Sequence, residues 1–282
     1  MLEIIIILVG GLLLGGLYAL VGFGLSVTLG VMKIINVAHG DFAILAGYLG
    51  LTFTTLFKLD PLVDMAIVAP IMFILGLLIQ KYMLNRILQQ GLNQVVIFTF
   101  ALSIAIENLL LLFYTPNAKS LTPRYMLGGI NVGGIPISLA LLISFIFALV
   151  AFAVLYLFFK RTYIGKAMRA VPVDLEAAKM IGIKPEVIYS YAMGIAMFVT
   201  AIAGILLGTV FIFYPYTGPG YLIAAFGVVL IGGLGNFFGT FIGGIAIGEA
   251  IALGGYFFGA TYQLMFCYLI ILVVMLVRRQ TS

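Results

Sequence analysis

The sequence contains no tryptophan, a single cysteine, a single histidine and very little charge. Only 8% of its 282 residues are charged, against 64% that are apolar, and the mean hydropathy is +1.29. A water-soluble domain carries about 25% charged residues, so this chain cannot present a solvated surface in every direction. Cys267 alone makes no disulfide framework, and with His39 as the only histidine no multi-ligand metal cluster is expected. Cys267 reads as a small buried hydrophobe in a late helix. A G-x-x-x-x-G-K-[ST] phosphate loop is also missing: the lone Gly-Lys pair, Gly165-Lys166, runs on into Ala167. The chain therefore has no nucleotide cradle of its own.

What is present is a series of apolar runs, at about 4–31, 37–57, 61–80, 93–114, 135–159, 187–213, 221–235, 237–253 and 256–277. A bilayer is crossed by roughly 20 helical residues, which makes the chain an all-α polytopic integral membrane helical bundle of about eight or nine transmembrane helices. Residues 1–282 form one transmembrane domain, because nine spans leave too little chain for a separate soluble core. The first run lacks a basic flank and is too long for a signal peptide, so it reads as the first span. The pair within 221–253 is joined by Gly232-Gly233-Leu234-Gly235-Asn236. That joint is either a cytoplasmic turn or a helix break, which would make the region a re-entrant hairpin lining a path.

Lys and Arg set the orientation. With the N-terminus outside, one set of loops holds eleven of them (Lys33, Lys81, Arg86, Lys160, Arg161, Lys166, Arg169, Lys179, Lys184, Arg278, Arg279) and the other holds three (Lys58, Lys119, Arg124). The richer side is cytoplasmic, so the C-terminus lies inside and the 115–134 loop outside. The net charge of +5 is thereby a matter of topology, and nucleic acid is not an expected partner. Tyr114, Tyr125, Tyr214, Tyr216 and Tyr221 fall at expected outer ends, as an interfacial belt would place them. Glycine pairs four apart (Gly11 and Gly15, Gly204 and Gly208, Gly235 and Gly239, Gly239 and Gly243, Gly244 and Gly248) predict flat helix faces for close packing.

The longest cytoplasmic segment, Lys160 to Glu186, has helical grammar. Pro172 suits a first turn, Asp174 and Glu176 favour the positive dipole end and Lys179 the negative end. Gly182 suits a C′ residue, and Pro185 opens the next helix. The result is a short helix over about 172–181, smooth at Ala177, Ala178 and Gly182 and knobbed at Met180 and Ile181. Such an element lies on headgroups or docks into a groove on another protein.

Ionisable groups inside spans usually face the bundle interior or a cavity. Asn36, His39 and Asp41 fall near the cytoplasmic boundary of the second span. Capping by Asn36 with Asp41 at the N-terminal end, gating or subunit coupling, and substrate contact are all open for them. Glu107 and Glu249 lie in the outward half. Each is either hydrogen-bonded within the bundle or faces the path, where it would attract a substrate ammonium.

Three segments carry a family resemblance. Glu176-Ala177-Ala178 followed by Gly182 resembles the EAA loop of ABC importer permeases, and Gly165 to Ala170 is similar to its basic lead-in. Gly16-Leu17-Tyr18-Ala19-Leu20, with Gly30 through Phe42 including His39-Gly40-Asp41, is similar to the opening of permease subunits in branched-chain amino acid importers and the related urea and amide systems. Gly232 to Asn236 with Gly239 and Gly243-Gly244 resembles that family's late glycine-rich segment. The resemblance implies a transport subunit rather than an enzyme, with no cofactor on this chain. It implies ATP and Mg on partner ABC ATPase subunits on the cytoplasmic side, engaged through Asp174, Glu176, Ala177, Ala178, Met180 and Gly182. It also implies an external or periplasmic substrate-binding protein and a second related permease, or a homodimer. The setting is the lipid of a bacterial or archaeal cytoplasmic membrane. Urea or short amides remain alternative substrates. A secondary transporter or channel, the alternative from a different class, would show inverted repeats or a charged path, for which scattered ionisable groups and no convincing internal repeat give poor support. An intramembrane enzyme would need a catalytic pair, and a single histidine excludes a metalloprotease.

Overall fold

A bilayer offers backbone N–H and C=O groups no partner, so apolar runs must satisfy themselves as helices. The computed structural model describes residues 2–281. In chain order it contains α1 (Leu2–Met32), α2 (His39–Phe57), α3 (Pro61–Ile79), a π-helical turn Gln80–Leu84, α4 (Asn85–Leu88) and α5 (Leu92–Tyr114). A 3-10 turn (Arg124–Leu127) and the hairpin strands β1 (Gly129–Val132) and β2 (Ile135–Ser138) precede α6 (Leu139–Arg161). Then come α7 (Tyr163–Ala170), α8 (Leu175–Met180), α9 (Pro185–Val210), α10 (Gly218–Gly232), α11 (Phe237–Phe258), a 3-10 turn Ala260–Tyr262 and α12 (Gln263–Thr281).

Among the described residues seven helices are long and apolar enough to cross a membrane, and two shorter apolar helices, Gly218–Gly232 and Met265–Leu276, complete the set. The bundle is thus the all-α one expected. Ile135 and Ile137, assigned from hydropathy to the start of the fifth span, belong instead to β2. It pairs antiparallel with β1 in the register Ile130 to Ile137 across a Gly133-Gly134 turn. Both glycines take positive φ, as a two-residue hairpin turn demands.

Helices α1 and α9 form the centre; residues Leu17 through Leu29 of α1 and Ala192 through Thr209 of α9 are almost wholly buried. The predicted glycine faces are what let neighbours reach them. A Cβ on Gly15 would strike the Ile245 backbone, one on Gly244 the Ala19 backbone, and one on Gly248 the Gly15 and Gly11 backbones, so α1 and α11 touch main chain to main chain. Gly204 of α9 meets the Ala43 carbonyl of α2 in the same way. With no hydrophobic drive between helices in lipid, such contact is the main source of association.

The 221–253 region is a helical hairpin closed by a turn. Gly232 ends α10, Gly233 and Gly235 adopt positive φ (92° and 72°), and Asn236 caps α11 by accepting the Gly239 N–H at 3.0 Å. The turn packs on Gly30, near the end of α1. Of the two readings of Gly232, Gly233 and Gly235, a turn or a helix break, the turn is the one found. The interruption falls elsewhere, at the other end of α10. At fifteen residues that helix is about 22 Å long, short of the ~30 Å hydrocarbon core.

Substituting Gly248→Leu should lower the thermal unfolding temperature in detergent by more than ordinary overpacking, which costs about 1–3 kcal/mol, because the obstacle is backbone. Gly10→Leu, at a position with nothing within 4 Å of its would-be Cβ, should leave the melt unchanged.

Candidate functional site

After α1 ends at Met32, residues 33–38 turn back into the bundle instead of leaving it. Lys33 takes a positive φ of 56° to make the reversal, and Ile34, Asn36 and Ala38 are at most 2% exposed. The extended backbone is satisfied from within: Thr99 of α5 accepts the Val37 N–H at 3.2 Å, and the Asn36 side chain accepts the Ala38 N–H at 3.1 Å. Helix α2 then begins far inside. His39 donates from Nε2 to the Val21 carbonyl at 2.9 Å; a carbonyl only accepts, so this nitrogen carries the proton. Val21 is eleven residues before the end of α1, about 16 Å along its axis.

This corrects the position expected for Asn36, His39 and Asp41. Hydropathy put them at the cytoplasmic boundary, but the re-entrant segment carries them to mid-depth. Asn36 is not the cap of α2, which starts after Ala38 without a side-chain cap; its amide oxygen stabilises the turn before it. Its Nδ2 instead points at Met193 Sδ of α9, 3.9 Å away.

At this depth α2 meets the start of α10. A Cβ on Gly40 would overlap the Gly218 carbonyl, and one on Gly218 would overlap Asp41 Oδ1. Two helix N-termini, each carrying roughly half a positive charge, thus converge around the Asp41 carboxylate. Asp41 is 1% exposed. Its Oδ2 accepts from Ser103 Oγ at 2.5 Å, while Oδ1 is buried without a hydrogen-bond partner. The negative charge offsets two like-signed helix ends, and one of its oxygens is left over.

Glu107 stands one turn beyond Ser103 on α5, on the same stripe of that helix. Glu249 sits apart, on α11, with Oε2 buried and unpartnered against Gly11. The structure therefore groups Asn36, His39, Asp41 and Glu107 and leaves Glu249 at the α1–α11 seam. Reading the sequence for charge missed Ser103 and Thr99. The signal was there: Thr99, Ser103 and Glu107 recur every four residues, a polar stripe on an otherwise apolar helix.

The cytoplasmic-type loop folds as two helices, not one. Thr162 caps α7 through the Gly165 N–H at 3.0 Å, and Pro172 lies in the turn between α7 and α8 rather than in a first helical turn. The expected helix over 172–181 shortens to Leu175–Met180 because Asp174, not Pro172, starts it: Asp174 Oδ1 accepts the Ala177 N–H at 2.9 Å. Gly182 takes φ of 86°, and Ile183 N–H reaches back to the Ala178 carbonyl at 3.1 Å, the bond that a left-handed C′ residue allows. Pro185 opens α9. Glu176 and Lys179 pair at 2.9 Å on the surface, which raises the Lys179 pKa through the hydrogen bond and charge of Glu176. Such an exposed pair adds little stability.

Ala178 is the buried contact of α8, while Val173, Met180 and Ile181 are 85%, 82% and 74% exposed. Met180 and Ile181 match the expected knobs; Val173 is a third. Below α8, a cleft of about 310 Å³ is lined by Met32, Asn85, Leu175, Lys179, Glu186 and Tyr189. Ser103→Ala should lower stability by about 1–3 kcal/mol, since it strips the buried Asp41 carboxylate of its one partner. A detergent melt lower than that of Ser144→Ala, whose hydroxyl donates within α6 to the Ala140 carbonyl, would register the loss.

The high-affinity branched-chain amino acid transport system permease protein BraD of Pseudomonas aeruginosa is 27% identical to the chain over 286 residues, covering 96% of the chain and 92% of BraD. The corresponding protein LivH of Escherichia coli K12 is 24% identical over 282 residues, covering 95% and 91%. A probable branched-chain amino acid transport permease protein LivH of Methanocaldococcus jannaschii is 25% identical over 265 residues, covering 91% and 82%. No solved structure matches the chain. Residues 7–275 match the family described as the permease component of the branched-chain amino acid transport system. The match covers nearly the whole chain, and its long apolar helices agree with an integral membrane protein: the chain belongs to the family of branched-chain amino acid transport system permease components.

Proposed function

We infer that the chain builds part of an import path for branched-chain or other small neutral amino acids across a bacterial or archaeal cytoplasmic membrane. In this reading the N-terminus is outside and the C-terminus inside, as the bias of Lys and Arg favours. ATPase subunits dock from the cytoplasm and carry ATP and Mg; an external binding protein delivers the substrate; a second permease, related or identical, completes the path. The names borne by the relatives support the substrate class.

The observation that carries the energy-coupling part is α8. It is a six-residue helix capped at both ends, so it moves as a unit, and it presents three apolar side chains with no cover from this chain. Asp174, Glu176, Ala177 and Gly182 shape it; Met180, Ile181 and Val173 are its contacts to a groove. A displacement of α8 passes to α9, on which it packs, and α9 in turn packs on α1, α2 and α3. Because α2 meets the start of α10 closely at Gly40, Asp41 and Gly218, a shift of α9 there opens or closes the junction around Asp41. The cleft under α8 gives it room to pivot. Switching of this kind requires two packings of rigid elements rather than a deformable core.

Met180→Glu and Ile181→Glu place charge on side chains that are largely exposed, so each variant should fold and insert normally. ATPase subunits should no longer co-purify with it, and uptake of leucine by the assembled transporter should fall about tenfold or more, the effect of burying an unpaired charge at an interface. Retention of both co-purification and uptake in these variants would remove α8 as the coupling element.

A further inference from the structure

On the side of α10 away from Asp41, a cleft of about 580 Å³ opens between α1, α10, α11 and the 211–217 loop. Its walls include Leu14, Ala224 and Ile251, and the first turn of α10 (Thr217, Gly220 and Tyr221) borders it. We propose that this cleft is where the permease holds the amino acid, with the α10 N-terminus taking the carboxylate and the apolar wall taking the side chain. The proposal deepens the amino-acid importer reading given above and rests on it.

Three observations converge. The first is a set of idle donors. Gly218 and Gly220 N–H groups donate to nothing among the described residues, and Pro219 between them has no N–H to offer. In a helix ending inside a bilayer such donors are costly unless a ligand or water takes them, and the positive end of the dipole favours an anion. The second is a hydroxyl. Tyr18 lines the cleft, is 6% exposed, and its hydroxyl has no hydrogen-bond partner among the described residues. Because Tyr18 borders the open cleft, its hydroxyl is available to a guest there. The third is space at the right residue. A Cβ on Gly220 would meet nothing within 4 Å, so glycine there is not demanded by packing against the protein. It keeps the approach to the helix end clear. Asp41 supplies the complement: its charge stabilises the opposite flank of the same helix end, which holds α10 in place when no carboxylate is bound.

The class of ligand follows from the lining. A volume of this size with mostly aliphatic and aromatic walls and few polar groups suits a small apolar amino acid. A substrate lacking a carboxylate would leave the N–H groups of α10 unpaired, and sites built to hydrogen-bond a group reject analogues without it.

The test uses the assembled transporter in liposomes. Gly220→Cys is introduced in a Cys267→Ala background, and the rate of labelling by a membrane-impermeant maleimide is measured with L-leucine or with L-leucinamide, which lacks the carboxylate. At leucine concentrations about tenfold above half-saturation, labelling should slow about tenfold, as mass action predicts, while leucinamide should leave it unchanged. Tyr18→Phe should raise KM for leucine about three- to tenfold with kcat retained, the effect of losing one hydrogen bond to the ligand; it also decides the matter if the cysteine variant does not assemble. Leucine uptake by the Gly220→Cys transporter combined with unprotected labelling, equal protection by leucinamide, or an unmoved KM in Tyr18→Phe would overturn the cleft proposal and leave the importer reading standing. A wild-type transporter that takes up no apolar amino acid would overturn both.

Discussion

Backbone amides that stop partway through a bilayer must be answered by something other than water, and the centre of this bundle is arranged around that constraint. Two helices, α2 and α10, begin at mid-depth rather than at a membrane face. Their ends can approach because Gly40 and Gly218 present no side chains to each other. Asp41 between them supplies the negative charge that two converging helix dipoles call for, and Ser103 holds one of its oxygens. Thr99 and Asn36 close the bonds of the segment leading in. The polar residues of an otherwise apolar chain are thus concentrated where regular structure is interrupted.

The helical class, the number of apolar segments and the glycine-to-glycine seams were readable because each rests on a local property. Length against bilayer thickness gives the spans, and a spacing of four gives a flat face. Gly182 and Pro185 also performed as their backbone preferences require. What could not be read was depth. Lys33 and the residues after it look like an ordinary loop in a hydropathy pattern, since Ile34 and Val37 are as apolar as a span and nothing marks the chain's reversal. Only the tertiary partners Thr99 and Val21 carry the segment inward. The same limit left turn and break undecided at Gly232 to Gly235, whose glycines serve a turn, and missed the interruption at Gly218, whose glycine serves a crossing. The start of α8 was displaced for a smaller reason: Asp174 outcompetes Pro172 because a side-chain acceptor satisfies an amide that proline merely dispenses with.

Helix α9 packs against both α8 and the elements around Asp41. At one end it follows α8 through Gly182, and its start is tied to α4 by Asn85, which donates to the Glu186 carbonyl at 3.1 Å. Along its length it lies against α1, α2 and α3, with Gly204 on the Ala43 carbonyl. Main-chain contacts of this kind transmit displacement without slack, since there are no side-chain rotamers between the two backbones to absorb it.

Helix α1 is 31 residues long, which makes it a rod of about 46 Å in a hydrocarbon slab of ~30 Å. From Gly11 onward it is locked to α11 along their glycine seam, so it cannot lean on its own. The surplus falls on its first turns, where Leu2, Ile4, Ile5 and Leu8 face outward. Those greasy residues form a collar that a thin bilayer would leave stranded among headgroups and a thick one would swallow. Hydrophobic mismatch at that collar costs fractions of a kcal/mol per Å, and the main-chain seam leaves α1 and α11 to respond to membrane thickness together.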